Sequence, residues 1–273
     1  MTYVVCVGLA TLDTIFAVPR HPGPDDRVVA SELVVAGGGP AATAAVALAR
    51  AGVRTLFVGA VGDDEVGRTI RADLEREGVD VSELALVRAA TSPQSSILVG
   101  GKSRTIVHFR GDARLELSER ADELCRAAAW VHVDHVGYAA APNGVRLSID
   151  GGNPIDDLQL AGVALYAPTD RELKARFGTA AGALAAGAEL VVVTSGAGGS
   201  TAYSPDTTIE VPGHPVDVVS TLGAGDVFHG ALLAQLVRNV PVDRALAAAN
   251  RTAALSCRAL DGRSAIPTLE EVA

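Results

Sequence analysis

The sequence predicts an α/β protein in three layers, a mostly parallel central sheet between helices, with a small second β-sheet. Three observations lead there. YVVCVGLA (3–10) and VRTLFVGAVG (53–62) are apolar runs without alternation, as in strands covered on both faces. Helical stretches follow such runs in regular succession, and strand-helix-strand repetition requires parallel crossovers. Two further segments break this rhythm with period-two alternation.

The elements follow in order. PAATAAVALARAG (40–52) opens on Pro40, is alanine-rich within and stops at Gly52, as a helix should. DDEVGRTIRADLEREG (63–78) spaces Val66, Ile70 and Leu74 four residues apart, a helical stripe. Residues 13–36 carry the short alternating pieces DTIFAV and RVVASELVV around RHPGPDD. Residues 95–109 read SSILV-GGKS-RTIVHF, a hairpin signal. These are read as four strands of one lid (about 13–36 and 95–110) inserted in a single domain spanning 1–273 and lying over the carboxyl ends of the core strands. Two unrelated surface hairpins are the alternative. The parallel rhythm resumes at 127–136, 145–150, 163–169 and 188–196. Only about ten residues separate VHVD from VRLSID, fewer than a helical crossover uses. A helix is expected to be missing there or cut to one turn, leaving a thin core or a face for a partner chain. GAGDVFHGALLAQLVRN (223–239) and VDRALAAANRTAALSCRAL (242–260) read as amphipathic helices.

The composition narrows the function. A formal net charge of −9 argues against a nucleic-acid partner, which needs a basic surface, but leaves small anionic substrates open. Cys6, Cys125 and Cys257 show no paired spacing and read as buried thiols of a reducing compartment. No signal peptide is recognised, and no apolar run reaches the ~18 residues of a membrane span. A soluble, cytoplasmic protein without a membrane partner is expected.

The most informative stretch is STLGAGDVFHGAL (220–232). A helix N-terminus presents unpaired N–H groups and partial positive charge, and glycine lets that backbone approach an anion. Gly223, Ala224 and Gly225 suit a phosphoryl group gaining negative charge. Asp226, in the first turn, lies within reach as the base for an attacking hydroxyl. On this segment alone a second reading stands beside the first, since the helix dipole by itself favours an aspartate there. No Gly-Lys-Ser/Thr follows, so the turn is not a Walker A loop.

GAGDVFHGAL resembles the second signature of the ribokinase-like (PfkB) sugar kinases. AGGGPAATAAVALARAG (36–52) is similar to their first signature, VGAVGDDEVG (58–67) follows at the family's spacing, and VTSGAGG (193–199) is similar to the segment ahead of the nucleotide site. The likeness runs in order along nearly the whole chain. Within the family, GGGPAATAAVA, GAGDVFHGAL, SPQSSILV and DGRSAIP are most similar to the 6-deoxy-6-sulfofructose kinases. The resemblance implies a ribokinase fold, sugar between lid and core, and ATP along the core's carboxyl edge. It implies Asp226 as catalytic base, Gly223, Ala224 and Gly225 as anion hole, Asp13 gripping sugar hydroxyls, and Gly38 and Gly39 lining the sugar. Thr194 and Gly196 match positions along the phosphates, Gly199 the following turn, and Asn250 a helix position passing the adenine. Glu172 matches the acidic residue of the N-x-x-E element and is implied to act on Mg2+ through water. Read as residues alone, Asp13 has an ordinary turn residue as its alternative, and the nucleotide-side residues are equally caps or helix-face groups.

The departures matter too. Ala42 stands where the family usually has asparagine, and Thr169 replaces the asparagine of N-x-x-E. Ser220 replaces an aspartate implied to help hold an activating monovalent cation, so weak or absent potassium activation is expected; Leu222 replaces a small polar residue. Arg27 falls where sulfofructose kinases are implied to carry a lysine for the sulfonate. His108 takes an asparagine's place, with Arg110 nearby, while Gly137 and Tyr138 stand where an arginine is implied. Arg27, His108 and Arg110 are candidates for a sulfonate, phosphate or carboxylate, or else solvated lid residues.

The expectation is an ATP- and magnesium-dependent kinase for a hydroxyl of a sugar or acidic sugar derivative, a sulfofructose-like or sugar-phosphate-like ketose included. A nucleoside kinase and a non-catalytic sugar- or nucleotide-binding regulator are the alternatives. A homodimer through the lid is expected, because lid sheets expose edges.

Overall fold

The computed structural model describes residues 2–101 and 103–272; Lys102, in the turn read as GGKS, lies outside them. The chain opens with β1 (Val4–Val7), β2 (Thr11–Ala17) and β3 (Glu32–Gly38), then α1 (Pro40–Arg50), β4 (Thr55–Gly62), α2 (Glu65–Arg76) and β5 (Asp80–Val87). A hairpin of β6 (Gln94–Gly100) and β7 (Ser103–Phe109) precedes α3 (Glu119–Ala127), β8 (Trp130–Val133), β9 (Leu147–Gly151) and β10 (Leu165–Pro168). Then come α4 (Asp170–Phe177), α5 (Ala180–Ala185), β11 (Val191–Thr194), β12 (Ser200–Tyr203) and β13 (Thr208–Val211). Helices α6 (Ala224–Leu236), α7 (Val242–Ser256) and α8 (Leu269–Val272) close the chain.

The central sheet runs β13-β12-β11-β10-β9-β8-β1-β4-β5. It is parallel from β11 to β5, with β12 and β13 added antiparallel. Its middle strands are buried along their length, which is why they read as unbroken apolar runs. One face is covered by α1, α2, α6 and α7. There α1 meets α6 so closely that a Cβ on Gly230 would overlap the Ala44 carbonyl. The second sheet runs β3-β2-β6-β7, with β2 and β6 parallel at its centre. The two alternating segments do form one sheet. Residues 27–31 are not part of it, since β3 begins only at Glu32.

The short crossover between β8 and β9 holds only a 3₁₀ turn, Tyr138–Ala140. The next crossover, residues 152–164, also lacks a helix, which the spacing did not reveal. The face is nevertheless filled. Ile155, Leu158, Leu160 and Val163 from that loop pack with α3, α4 and α5 against the sheet. The Gln159 N–H donates to Tyr138 Oη at 2.8 Å, joining the two helix-free connections. Neither a thin core nor a partner chain is needed there. Strands β5, β12 and β13 were not anticipated. Among the described residues no helix is long and apolar enough to cross a membrane, and Cys6, Cys125 and Cys257 are buried free thiols.

Asp134, just beyond β8, is buried and ties three segments together. Its Oδ2 accepts from Leu9 N (2.8 Å) and Ala41 N (3.1 Å), and its Oδ1 from Val136 N and Gly137 N (both 2.9 Å). Burial pushes its pKa up, opposed by His135 and these amide donors. Replacing it with alanine strands four donors away from water. Asp134→Ala is expected to lower the unfolding free energy by about 3 kcal/mol, read from urea denaturation midpoints at constant m.

Candidate active site

A cavity of about 420 Å³ lies between the carboxyl ends of the parallel strands and the inner face of the small sheet. Leu9, His135, Asp150, Thr169 and Thr194, at or just past the ends of successive core strands, form one wall. In open α/β sheets such strand ends are where ligands bind. Asp13, Ser95, Arg104 and His108 face them from the small sheet.

Gly223 and Gly225 line the cavity beside Asp226. Gly223 takes φ +71°, left-handed, and caps α6, so the chain turns sharply before the helix. Nothing lies within 4 Å of where a Cβ on Gly225 would stand, which leaves open space over the helix N-terminus. Ala224, between the two glycines, does not line the cavity. Asp226 is half-buried, and burial pushes its pKa up to about 8. The Asp150 and Asp134 carboxylates add to that rise, while His229 and Arg104 oppose it.

At the other end, buried Asp13 accepts a hydrogen bond from Thr11 Oγ1 at 2.8 Å. Burial raises its pKa against Thr11, Ser95, Arg263 and His108. A Cβ on Gly38 would overlap the Asp13 carboxylate, and one on Gly39 (φ +91°) the Leu9 carbonyl, so both glycines are dictated by close approach. His108 reaches the cavity from β7, with Nδ1 3.3 Å from Ser95 Oγ. Burial holds its pKa down, helped by Arg110 and His135 and opposed by Asp13.

Other expected residues are placed elsewhere. Arg27 and Arg110 are exposed and outside the cavity wall, because Arg27 lies in the loop before β3 and Arg110 beyond the end of β7. Thr194 lines the cavity, whereas Gly196 (φ +55°) and Gly199 (φ +97°) shape the turn between β11 and β12. The Asn250 amide is spent inside the protein, accepting from Ser200 Oγ (3.0 Å) and donating to the Val211 and Pro212 carbonyls (both 3.1 Å). It braces α7 to the edge strands. Glu172 lies off the cavity wall and pairs with Arg171 at 2.9 Å, its N–H bonded to Thr169 Oγ1. Ser220 is buried, its Oγ accepting from Leu222 N at 3.2 Å.

Several residues that sequence reasoning missed belong here. Arg104 lines the cavity and donates to Thr221 Oγ1 at 2.9 Å, bridging small sheet and glycine turn. Period two from His108 along β7 would have placed it on the inner face. Asp150 and His229 form a buried pair, Nδ1 to Oδ2 3.1 Å. Arg263 is also buried and donates to the Gly38 carbonyl (2.7 Å) and Thr43 Oγ1 (3.1 Å), while pairing with Asp73 (3.1 Å). It fixes the glycine run from behind.

Fold and cavity together define a small-molecule phosphotransferase. The chain belongs to the pfkB family of carbohydrate kinases, whose model matches residues 1–269. It is 31% identical to an ATP-dependent ribose-1-phosphate kinase of Halopiger xanaduensis, over 100% of this chain and 97% of that protein. It is 32% identical to a fructokinase of Salmonella typhimurium, over 82% of this chain and 84% of that one. The ribokinase of Arabidopsis thaliana, solved with ribose and ATP, superposes with a TM-score of 0.85 at 23% identity, covering 100% of this chain and 98% of that one. The protein is accordingly an ATP-dependent carbohydrate kinase. None of these three is a sulfofructose kinase, and the closeness drawn from short strings is not shown.

Proposed function

We propose that the chain transfers a phosphoryl group from ATP to a sugar hydroxyl, with Asp226 as the base and the amides of residues 223–225 as the anion hole. The observation that carries this is the shared cavity: Asp226 and the glycine turn at one end, Asp13, Gly38 and Gly39 at the other. Asp13 orients the sugar. Asp226 takes the hydroxyl proton as the new oxygen–phosphorus bond forms and the bond between the γ-phosphorus and ADP breaks, so that ADP leaves. The small sheet acts as a lid that keeps water from the phosphoryl group.

The residues fit a nucleotide phosphate. The open space at Gly225 meets the N-terminus of a thirteen-residue helix, and Thr169 and Thr194 line the same cavity. Among the described residues no three His, Cys, Asp or Glu side chains are grouped to hold a metal. Mg2+ would be held mainly by phosphates and water; Glu172, off the cavity wall and paired with Arg171, would reach it only through water; when bound, the ion neutralises phosphate charge. The neutral Ser220, already hydrogen-bonded, gives no charge to a monovalent cation.

A sugar that already carries a phosphate is the favoured substrate. Arg104, His108 and His135 line the cavity, and the relative at 31% identity is named for ribose 1-phosphate. Arg27 and Arg110 are not needed for this. We also propose a homodimer through the small sheet, whose outer face exposes Leu33, Val35, Val107 and Phe109.

Asp226→Asn is expected to cut turnover by ~10²–10⁴ with nucleotide affinity kept. Wild-type turnover in that variant, or a panel of sugars, sugar phosphates and nucleosides in which only nucleosides react, would overturn the assignment. Turnover in potassium and in tetramethylammonium should agree within about twofold, as expected for an anion hole whose charge comes from fixed amides. Sedimentation should give twice the 27.8 kDa chain mass.

A further inference from the structure

We propose that His229 is a positioning residue for Asp226, a buried imidazolium anchored by Asp150 whose charge keeps the neighbouring carboxylate ready to accept a proton. This rests on Asp226 being the base.

The geometry is a cluster under the cavity floor. His229 follows Asp226 by three residues along α6, so the two share a helix face, and both line the cavity together with Asp150. The His229 and Asp150 side chains are 5% and 3% exposed, and Nδ1 lies 3.1 Å from Oδ2 with the ring N–H off the hydrogen-bond axis, a contact that is an ion pair when the ring is protonated. Burial opposes charge on His229, yet Asp150, Asp226 and the Ala167 carbonyl raise its pKa. Burial would also raise Asp150, but His229 holds that carboxyl at about 2. The second imidazole, His132 on β8, lies with its ring centroid 5.9 Å from His229. Its Nδ1 is 3.1 Å from Ser148 Oγ and its Nε2 is buried without a partner. Burial, with His229 adding, takes its pKa down to about 3, so it stays neutral.

The charges facing Asp226 are therefore Asp150 from β9, Asp134 from beyond β8, Arg104 from β7, and His229 on its own helix. Without His229, Asp150 would stand as an uncompensated negative charge against the base, and the Asp226 pKa would rise further, moving proton acceptance to still higher pH. His229 transfers no proton itself. The proton taken from the sugar sits on Asp226 and returns to solvent after product leaves.

The test uses His229→Asn and His229→Gln in the full chain. In both, the acid limb of the kcat/KM profile for the sugar should move to higher pH by about one unit, with turnover recovering at alkaline pH. Infrared titration of the Asp226 carboxylic acid band, isolated by difference against Asp226→Asn, should move the same way without substrate or nucleotide. In the wild-type protein, 15N imidazole shifts should show His229 doubly protonated at neutral pH. A neutral His229, or an unmoved limb and band in folded variants, overturns the proposal, as does an equal loss at every pH. If Asp226→Asn remains active, the base assignment fails, while the infrared result still judges the coupling of His229 to Asp226.

Discussion

The arrangement depends first on one buried carboxylate. Asp134 accepts four backbone N–H groups from the loop after β1, the first turn of α1 and the exit of β8. Those segments are adjacent at the carboxyl edge of the sheet because β1 pairs with β8. The loop after β1 leads into β2 and Asp13, α1 begins directly after Gly39, and β8 leads to His135, so the knot fixes three parts of the cavity wall. Its geometry leaves no room for side chains: a Cβ on Gly8 would overlap Asp134 itself, and one on Gly137 the Val7 carbonyl. The glycines around it reflect this crowding more than any turn preference.

Small sheet and core are joined by a second set of polar contacts. Arg263, reaching back from the last loop, touches the Gly38 carbonyl, Thr43 and Asp73, and so binds the end of β3 to α1 and α2. Across the cavity mouth Arg104 meets Thr221, in the turn that carries Asp226. The substrate space is thus fastened on a buried side by the contacts of Arg263, and beside the glycine turn by the exposed Arg104–Thr221 bond and by Leu222, which packs with Ile15, Ile97 and Leu260.

Much of this was legible in the sequence, for reasons that differ by element. Unbroken apolar runs exposed the middle strands because they are covered on both faces, and period two exposed the small sheet because one of its faces meets solvent. β5 went unread because it follows α2 after only three residues and its alternation is imperfect. The edge pair β12 and β13 is too short to carry a periodic signal. The missing helix before β9 followed from a count of residues, but the segment before β10 was long enough to hold one and does not. At the site, the glycine turn with Asp226, and Asp13 with Gly38 and Gly39, came from motifs and converge on one cavity. Arg27 is implied by the resemblance and Arg110 by its place after His108, yet a loop and a strand end carry them away from the wall. Asp150 and His229 give no signal in the sequence, because a buried Asp–His pair looks there like an ordinary strand end and an ordinary helix residue.

The two connections without helices bear on how the molecule fails. A helix resists opening through a ladder of i to i−4 bonds that break together, whereas residues 152–164 are held by side-chain packing and a few isolated bonds such as Gln159 to Tyr138. Opening this layer breaks fewer backbone hydrogen bonds than opening a helix, so its resistance rests on the packed side chains of Ile155, Leu158, Leu160 and Val163.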